Sequence, residues 1–500
     1  MKKIILLLVA VVFILIFTAC NEVLVVEQNS ENSQQNELSS EEKVLGILKR
    51  QIVMFEHGNN GLPFDINKKN KGLVGWAFAS VFAEQEGVPF GADGGRQELL
   101  ALMHKEWLGF EVADDYYFSD VSESGDDIYI DVVSKDIGED RAVVTVARTR
   151  NGLEMLDARY TFTRHKASDE LLSSKASVLA YEGYIWRYET VEILADETEY
   201  PVVTIKTAEE LIDLCERVNN HESDAVLGTF VLAGDIDLSG YQWQPMGVSY
   251  PNEIWDNAYT YAKVPGGFNG SFDGNGYTIK GVSVIDGKDE ADVGFFGVIG
   301  TRARVYKLNI EGFIDDGGMA RTQNATTGGF VGKVVGGAEV VDCSFSGTIN
   351  GYCYVGGFAG AIRPLLLSPE YKATPTIANC KSNVQMKATY FSGGFVGNSY
   401  AKLTNCEANG TLTINAVTGT IPSSIGGFAG ELVADISNCH SNMVVEYAID
   451  GANRMGSFVG ELLNCNITNC TISKNAVHDG WYLVGMKWYK TSVVEIEKIA

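Results

Sequence analysis

The chain is 500 residues long, with 64 acidic against 39 basic side chains and a formal net charge of −25. A surface that acidic repels nucleic acid and anionic lipid, and it disfavours a polyanionic ligand such as pectate. The length exceeds one ordinary domain, and an apolar share of 45% supplies ample core material.

At the N-terminus, Met1-Lys2-Lys3 is a basic opening, Ile4 to Phe17 is an apolar run of 14 residues, and Phe17-Thr18-Ala19-Cys20 resembles a bacterial lipobox. The run is short for a membrane span, which takes about 20 residues. Residues 1–19 are therefore expected to be a lipoprotein signal peptide with Cys20 as the lipidated residue; a plain transmembrane anchor is the other reading. More than one acyl chain gives stable attachment to a membrane. Residues 20–40, rich in Asn, Ser, Gln and Glu, read as a flexible tether on the exported side of a cell membrane or outer membrane.

Residues 41–199 are expected to form a smaller α+β domain. Ser39-Ser40-Glu41-Glu42 offers a capping box for a helix that carries Val44, Leu48, Ile52 and Phe55 on one face and stops at Gly58. A second helix is expected from Arg96 to Leu108. Strand-like runs follow at Ile128–Val133, Ala142–Arg148, Met155–Thr163 and Tyr184–Ile193, the first three spaced as hairpins are. Helices first and an antiparallel sheet afterwards give an α+β order. The ending Gly183-Tyr184-Ile185-Trp186-Arg187-Tyr188-Glu189 resembles the last strand of cone-shaped nuclear-transport-factor-like domains.

From about residue 200 onward the chain repeats itself. Gly-Gly-Phe-Val/Ala-Gly stands at Gly328–Gly332, Gly356–Gly360, Gly393–Gly397 and Gly426–Gly430, with looser copies ending at Gly297 and Gly460. The last glycines are separated by 35, 28, 37, 33 and 30 residues. Repeats of variable length built from short Val-, Ile- and Thr-rich runs favour a β-solenoid over stacked helices. In such a stack, coils lie ~4.8 Å apart and equivalent side chains form ladders. Phe295, Phe330, Phe358, Phe395, Phe428 and Phe458 are expected to make one aromatic ladder. Asp342-Cys343, Asn379-Cys380, Asn405-Cys406, Asn438-Cys439 and Asn469-Cys470 are expected to make another, with left-handed turn residues followed by small buried thiols.

These residues resemble the GLUG repeat of bacterial surface proteins, with Phe where Leu is common. Asp235-Ile236-Asp237-Leu238, Trp243-Gln244-Pro245-Met246-Gly247 and Phe268 to Ile279 are similar to the opening coils ahead of such repeats. The resemblance covers residues 201–500. It implies an all-β, right-handed parallel β-helix over residues 200–500 on a cell surface, and it carries no catalytic residue over. Thr207-Ala208-Glu209-Glu210 is a capping box opening a helix to about Val218, expected to cover the first coil. The degenerate Trp481-Tyr482-Leu483-Val484-Gly485 and the strand-like Ser492–Ile496 are expected to close the last.

Nine cysteines less Cys20 leave eight, and an even number in an exported chain invites disulfides. Strand-neighbour spacing on the ladder favours buried thiols, with Cys465–Cys470 and Cys343–Cys353 as the pairs to watch. No Cys or His pair stands at zinc spacing. Asp235, Asp237, Asp273 and Asn275 offer oxygens to Ca²⁺, though turn roles account for them equally. The paired acids Asp114-Asp115, Asp126-Asp127 and Glu139-Asp140 and the scattered His57, His104, His165, His221, His440 and His478 form no catalytic constellation. No catalytic and no metal residue is assigned.

The resulting expectation is a lipid-anchored binding or adhesion module for a glycan or protein partner. Its contacts are sought on the loops Tyr250–Pro265, with Trp255, Tyr259 and Tyr261, and Arg363–Thr374. The alternative is a polysaccharide lyase or glycoside hydrolase on the same scaffold. That would need a cation-lined groove or two facing carboxylates, and Lys333, Arg363 and Lys387 fall at different places in their coils.

Overall fold

A computed structural model describes residues 38–59, 101–103, 105–109, 128–196, 198–248, 262–285, 292–317, 325–366, 372–415, 423–446, 453–477, 481–488 and 492–499. The chain divides into two compact units, residues 1–48 and 49–500.

Helix α1, Ser40–Asn59, begins as its sequence directs. The Ser39 hydroxyl accepts from the Glu42 amide at 3.2 Å, and the Glu42 carboxylate accepts from the Ser39 amide at 2.7 Å. Val44, Leu48, Ile52 and Phe55 are all buried. Residues 101–103 and 105–108 are helical; the rest of the expected second helix lies outside the described residues.

Strands β1 (Ile128–Ile137), β2 (Arg141–Arg150), β3 (Leu153–Lys166) and β4 (Tyr184–Ile193) form an antiparallel sheet in sequential order. A buried charge sits against it. Arg148 donates to both carboxylate oxygens of Glu56 at 3.1 Å and to the Leu156 carbonyl at 2.8 Å, and the Tyr160 hydroxyl donates to Glu56. Removing either partner of such a pair would strand the other, at a cost of about 3–5 kcal/mol.

The remainder is dominated by parallel pairing. Successive repeats each contribute a strand to a six-stranded, a seven-stranded and a 17-stranded sheet. The register is fixed residue by residue: Gly328, Gly356, Gly393, Gly426 and Gly456 pair in sequence, as do Val331, Ala359, Val396, Ala429 and Val459. One apolar cluster runs from Ile205 to Ala476. Helix α2, Ala208–Asn219, has the full Thr207–Glu210 capping box and buries Leu211, Leu214, Cys215 and Val218 in that cluster. At the other end, Val484–Lys487 pairs with Val459–Leu462, and Val494–Ile499 pairs with Ile467–Ser473. The antiparallel and parallel parts of the second unit meet where Met155 bridges Ala262 and where the Lys263 amide donates to the Glu154 carbonyl at 2.8 Å.

Both ladders are present, with one correction. Phe330, Phe358, Phe395, Phe428 and Phe458 stack face to face, with centroids 4.7, 5.0, 5.2 and 5.2 Å apart. Phe295 does not extend the stack. Its ring lies on Trp243 at 4.8 Å, and it is Phe296 that meets Phe330, tilted by 46°. Trp243 also donates its indole N–H to the Phe295 carbonyl at 2.8 Å, so the opening coil supplies its own flat partner. The motif's last glycine is required by close approach. A Cβ on Gly397 would lie 2.6 Å from the Gly360 carbonyl oxygen, and one on Gly430 would lie 2.5 Å from that of Gly397.

In the second ladder, Asp342, Asn379, Asn405, Asn438 and Asn469 are left-handed, with φ of 57°, 55°, 55°, 54° and 49°. The cysteines that follow are buried, and all eight described cysteines are free, including Cys343, Cys353, Cys465 and Cys470. Burial, with the nearby Asp435 charge, pushes the Cys465 thiol up to about 12.

Candidate functional site

Strands Ser344–Asn350, Lys381–Ala388, Glu407–Ile414 and His440–Glu446 lie side by side in the 17-stranded sheet. Their sequences alternate. Ser382, Val384, Met386 and Ala388 are buried, while Lys381, Asn383, Gln385 and Lys387 are exposed. Register converts this alternation into columns: Ser346, Asn383, Asn409 and Asn442 form one, and Thr348, Gln385, Thr411 and Val444 the next. The result is a face of amides and hydroxyls repeated at the strand spacing of ~4.8 Å.

That face is dented. Gly347 and Gly410 have φ of 153° and 117°, and a Cβ on either would lie within 2 Å of a neighbouring carbonyl oxygen, 1.8 Å from that of Gly312 and 1.9 Å from that of Val384. An open depression of about 380 Å³ lies at these points, bordered by Thr348, Asn383, Val384, Gln385 and Thr411 as well as the two glycines. Among the described residues no charged side chain lines it. Charges stand to either side: Lys387 is exposed, and the others are engaged. Lys381 pairs with Glu407 at 3.2 Å, Asn409 donates to Glu407 at 2.9 Å, and Thr413 donates to Glu446 at 3.1 Å. Partial burial raises the Glu407 carboxyl, but the hydrogen bonds from Asn409 and Lys381 outweigh it and hold the group below its usual range. Uncharged donors and acceptors around a shallow hollow suit a hydroxyl-rich, neutral ligand.

The residues singled out by sequence have other fates. Trp255, Tyr259, Tyr261 and Cys20 lie outside the described residues, as do Asp114-Asp115, Asp126-Asp127, His104 and His478. Asp237 and Asp273 accept the backbone amides of Ser239 and Asn275 at 2.9 and 2.8 Å and Asn275 is left-handed with φ of 54°, so these three serve turns, while Asp235 accepts the Thr278 amide of a later coil at 2.9 Å. Among the described residues no group of three or more His, Cys, Asp or Glu is placed to hold a metal. Glu139 and Asp140 pair with Arg164 at 3.4 and 3.5 Å. Lys333 is buried in an ion pair with Asp292 at 2.8 Å, and Arg363 lies two residues beyond the equivalent position in its own coil. The hollow itself was missed by sequence, although the alternation in Lys381–Ala388 and the glycines inside otherwise regular strands were its visible signals.

Comparison with known proteins gives a local match. Residues 323–350 fit the family model described as the GLUG motif. No match is found among curated proteins. A crystal structure of a protein provisionally designated an immunoglobulin A1 protease from Bacteroides ovatus is similar over 61% of this chain and 85% of its own. Its identity is 16% and its TM-score 0.37, and a likeness of that size has no bearing on activity.

Proposed function

We propose that this chain is an exported, lipid-anchored cell-envelope protein whose parallel sheets belong to a right-handed β-helix, and that the helix presents its dented face to a neutral glycan. The uncharged hollow around Asn383, Gln385, Thr348 and Thr411 carries this reading. Amide side chains can donate and accept at once, as sugar hydroxyls require. The acidic surface elsewhere turns polyanions away without opposing an uncharged chain. A lyase or hydrolase at this place would need a basic group or a facing carboxylate pair, and the lining holds neither.

An array of neutral and acidic glycans probed with the full chain tests the reading. Neutral oligosaccharides should bind, and Gln385→Ala should weaken binding five- to tenfold, the effect of about 1 kcal/mol from one lost hydrogen bond. An array blank for neutral glycans, or a Gln385→Ala chain that binds as tightly as the parent, removes the reading.

A further inference from the structure

The two shorter parallel sheets carry a cluster that the neutral hollow does not use. In four consecutive repeats the residue two positions before the motif's first glycine is left-handed although it is not glycine: Tyr354, Phe391, Ser424 and Arg454, with φ of 46°, 40°, 58° and 64°. Such conformations cost about 1–3 kcal/mol each and persist only where the surroundings impose them. Register stacks Ala361, Asn398, Glu431 and Glu461 in one column. Arg363 and Tyr400 stand two residues further along their strands, on the same side.

Two groups in this cluster are unfulfilled. The guanidinium carbon of Arg363 lies 4.4 Å from the centre of the Tyr400 ring and 5.6 Å from that of Tyr354, and Tyr354 in turn stacks on Phe391 at 4.7 Å. Among the described residues this guanidinium has ring contacts and a charge interaction with Glu431, but no hydrogen-bond acceptor and no ion pair within 4 Å. Asn398 is 1% exposed; its amide nitrogen donates to Glu431 at 2.7 Å, while its Oδ1 is buried without a partner. Glu461 is satisfied by the Ser424 hydroxyl at 2.7 Å, Arg454 at 3.0 Å and the Trp488 indole. Burial and then the charge of Glu461 raise the Glu431 carboxyl, against the opposing charges of Arg363 and Arg454 and the hydrogen bond from Asn398.

We infer that this cluster is a second binding site and that it takes the carboxylate of a single acidic sugar residue of the uronic acid class. The planar fork of Arg363 matches both carboxylate oxygens. A neighbouring sugar hydroxyl donates to the orphan Oδ1 of Asn398, and the rings of Tyr354 and Tyr400 flank the sugar. A lone acidic residue meets this local fork, whereas a polyanion meets the whole surface of −25. The inference stands apart from the neutral-glycan reading.

Calorimetric titration of the full chain with D-glucuronate, D-glucose and acetate tests it. Glucuronate should bind saturably and acetate at least tenfold more weakly, and any glucose heat, which belongs to the neutral hollow, should be unchanged by Arg363→Lys. Arg363→Lys keeps the charge but loses the fork, and should lower glucuronate affinity at least tenfold with an unchanged melting temperature. Tyr400→Leu provides a second variant with the same expected direction should Arg363→Lys melt early. Absence of saturable glucuronate heat, acetate binding as tightly as glucuronate, or a folded variant at Arg363 or Tyr400 that binds glucuronate like the parent would overturn the site.

Discussion

At the residue scale the repeats depend on a few side chains chosen for backbone reasons. The amide of Asn379 donates to Asp342 at 2.8 Å, that of Asn405 to Asn379 at 2.7 Å, and that of Asn469 to Asn438 at 2.6 Å. The same residues hold the left-handed corner that ends each short strand. Two roles can be separated by substitution. Asn405→Gly loses the amide bond, about 1 kcal/mol, and keeps the corner free of strain. Asn405→Ala loses the same bond and adds about 1–2 kcal/mol for placing a Cβ in the left-handed region. Chemical denaturation should therefore rank the variants parent, then Gly, then Ala; an alanine variant more stable than the glycine variant would contradict the corner role.

At the element scale, what was legible in the sequence is what repeats or caps. The Gly-Gly-Phe-Val/Ala-Gly copies announce parallel stacking because each copy must meet its own image. The four antiparallel strands were visible because period-two patterning and turn residues are local signals, and β4 keeps its expected bounds, Tyr184–Ile193. The capping boxes at Ser39 and Thr207 are local as well. The remainder needed register. Phe295 carries the motif's phenylalanine yet leaves the ladder, because Trp243 from the preceding coil takes its face. Arg363, Asn398 and Glu431 are separated by more than 30 residues each, and only strand pairing brings them onto one side. The hollow lies at glycines inside strands, and nothing in their spacing distinguishes them from glycines at corners. The aromatic loop residues Trp255, Tyr259 and Tyr261, the first choice for ligand contact by sequence, lie outside the described residues.

At the scale of the whole molecule, one continuous apolar cluster joins the parallel repeats from Ile205 to Ala476, and the sequence carries a formal net charge of −25. No described helix is long and apolar enough to cross a membrane. The lipobox-like Phe17-Thr18-Ala19-Cys20 is the ground for proposing lipidation at Cys20. A Cys20→Ser chain should leave the membrane fraction for the soluble exported fraction, and unchanged fractionation would count against lipidation.

Every functional proposal depends on equivalent residues lying one strand apart in successive repeats. Spin labels at Thr278 and Lys381 span three steps of one outward column, and labels at Thr278 and Thr471 span six. Pulsed electron–electron distance measurement should give about 14 Å and about 29 Å respectively, a linear growth at ~4.8 Å per repeat. Distances that fail to grow with the number of intervening repeats would contradict the stacked architecture and, with it, both proposed binding faces.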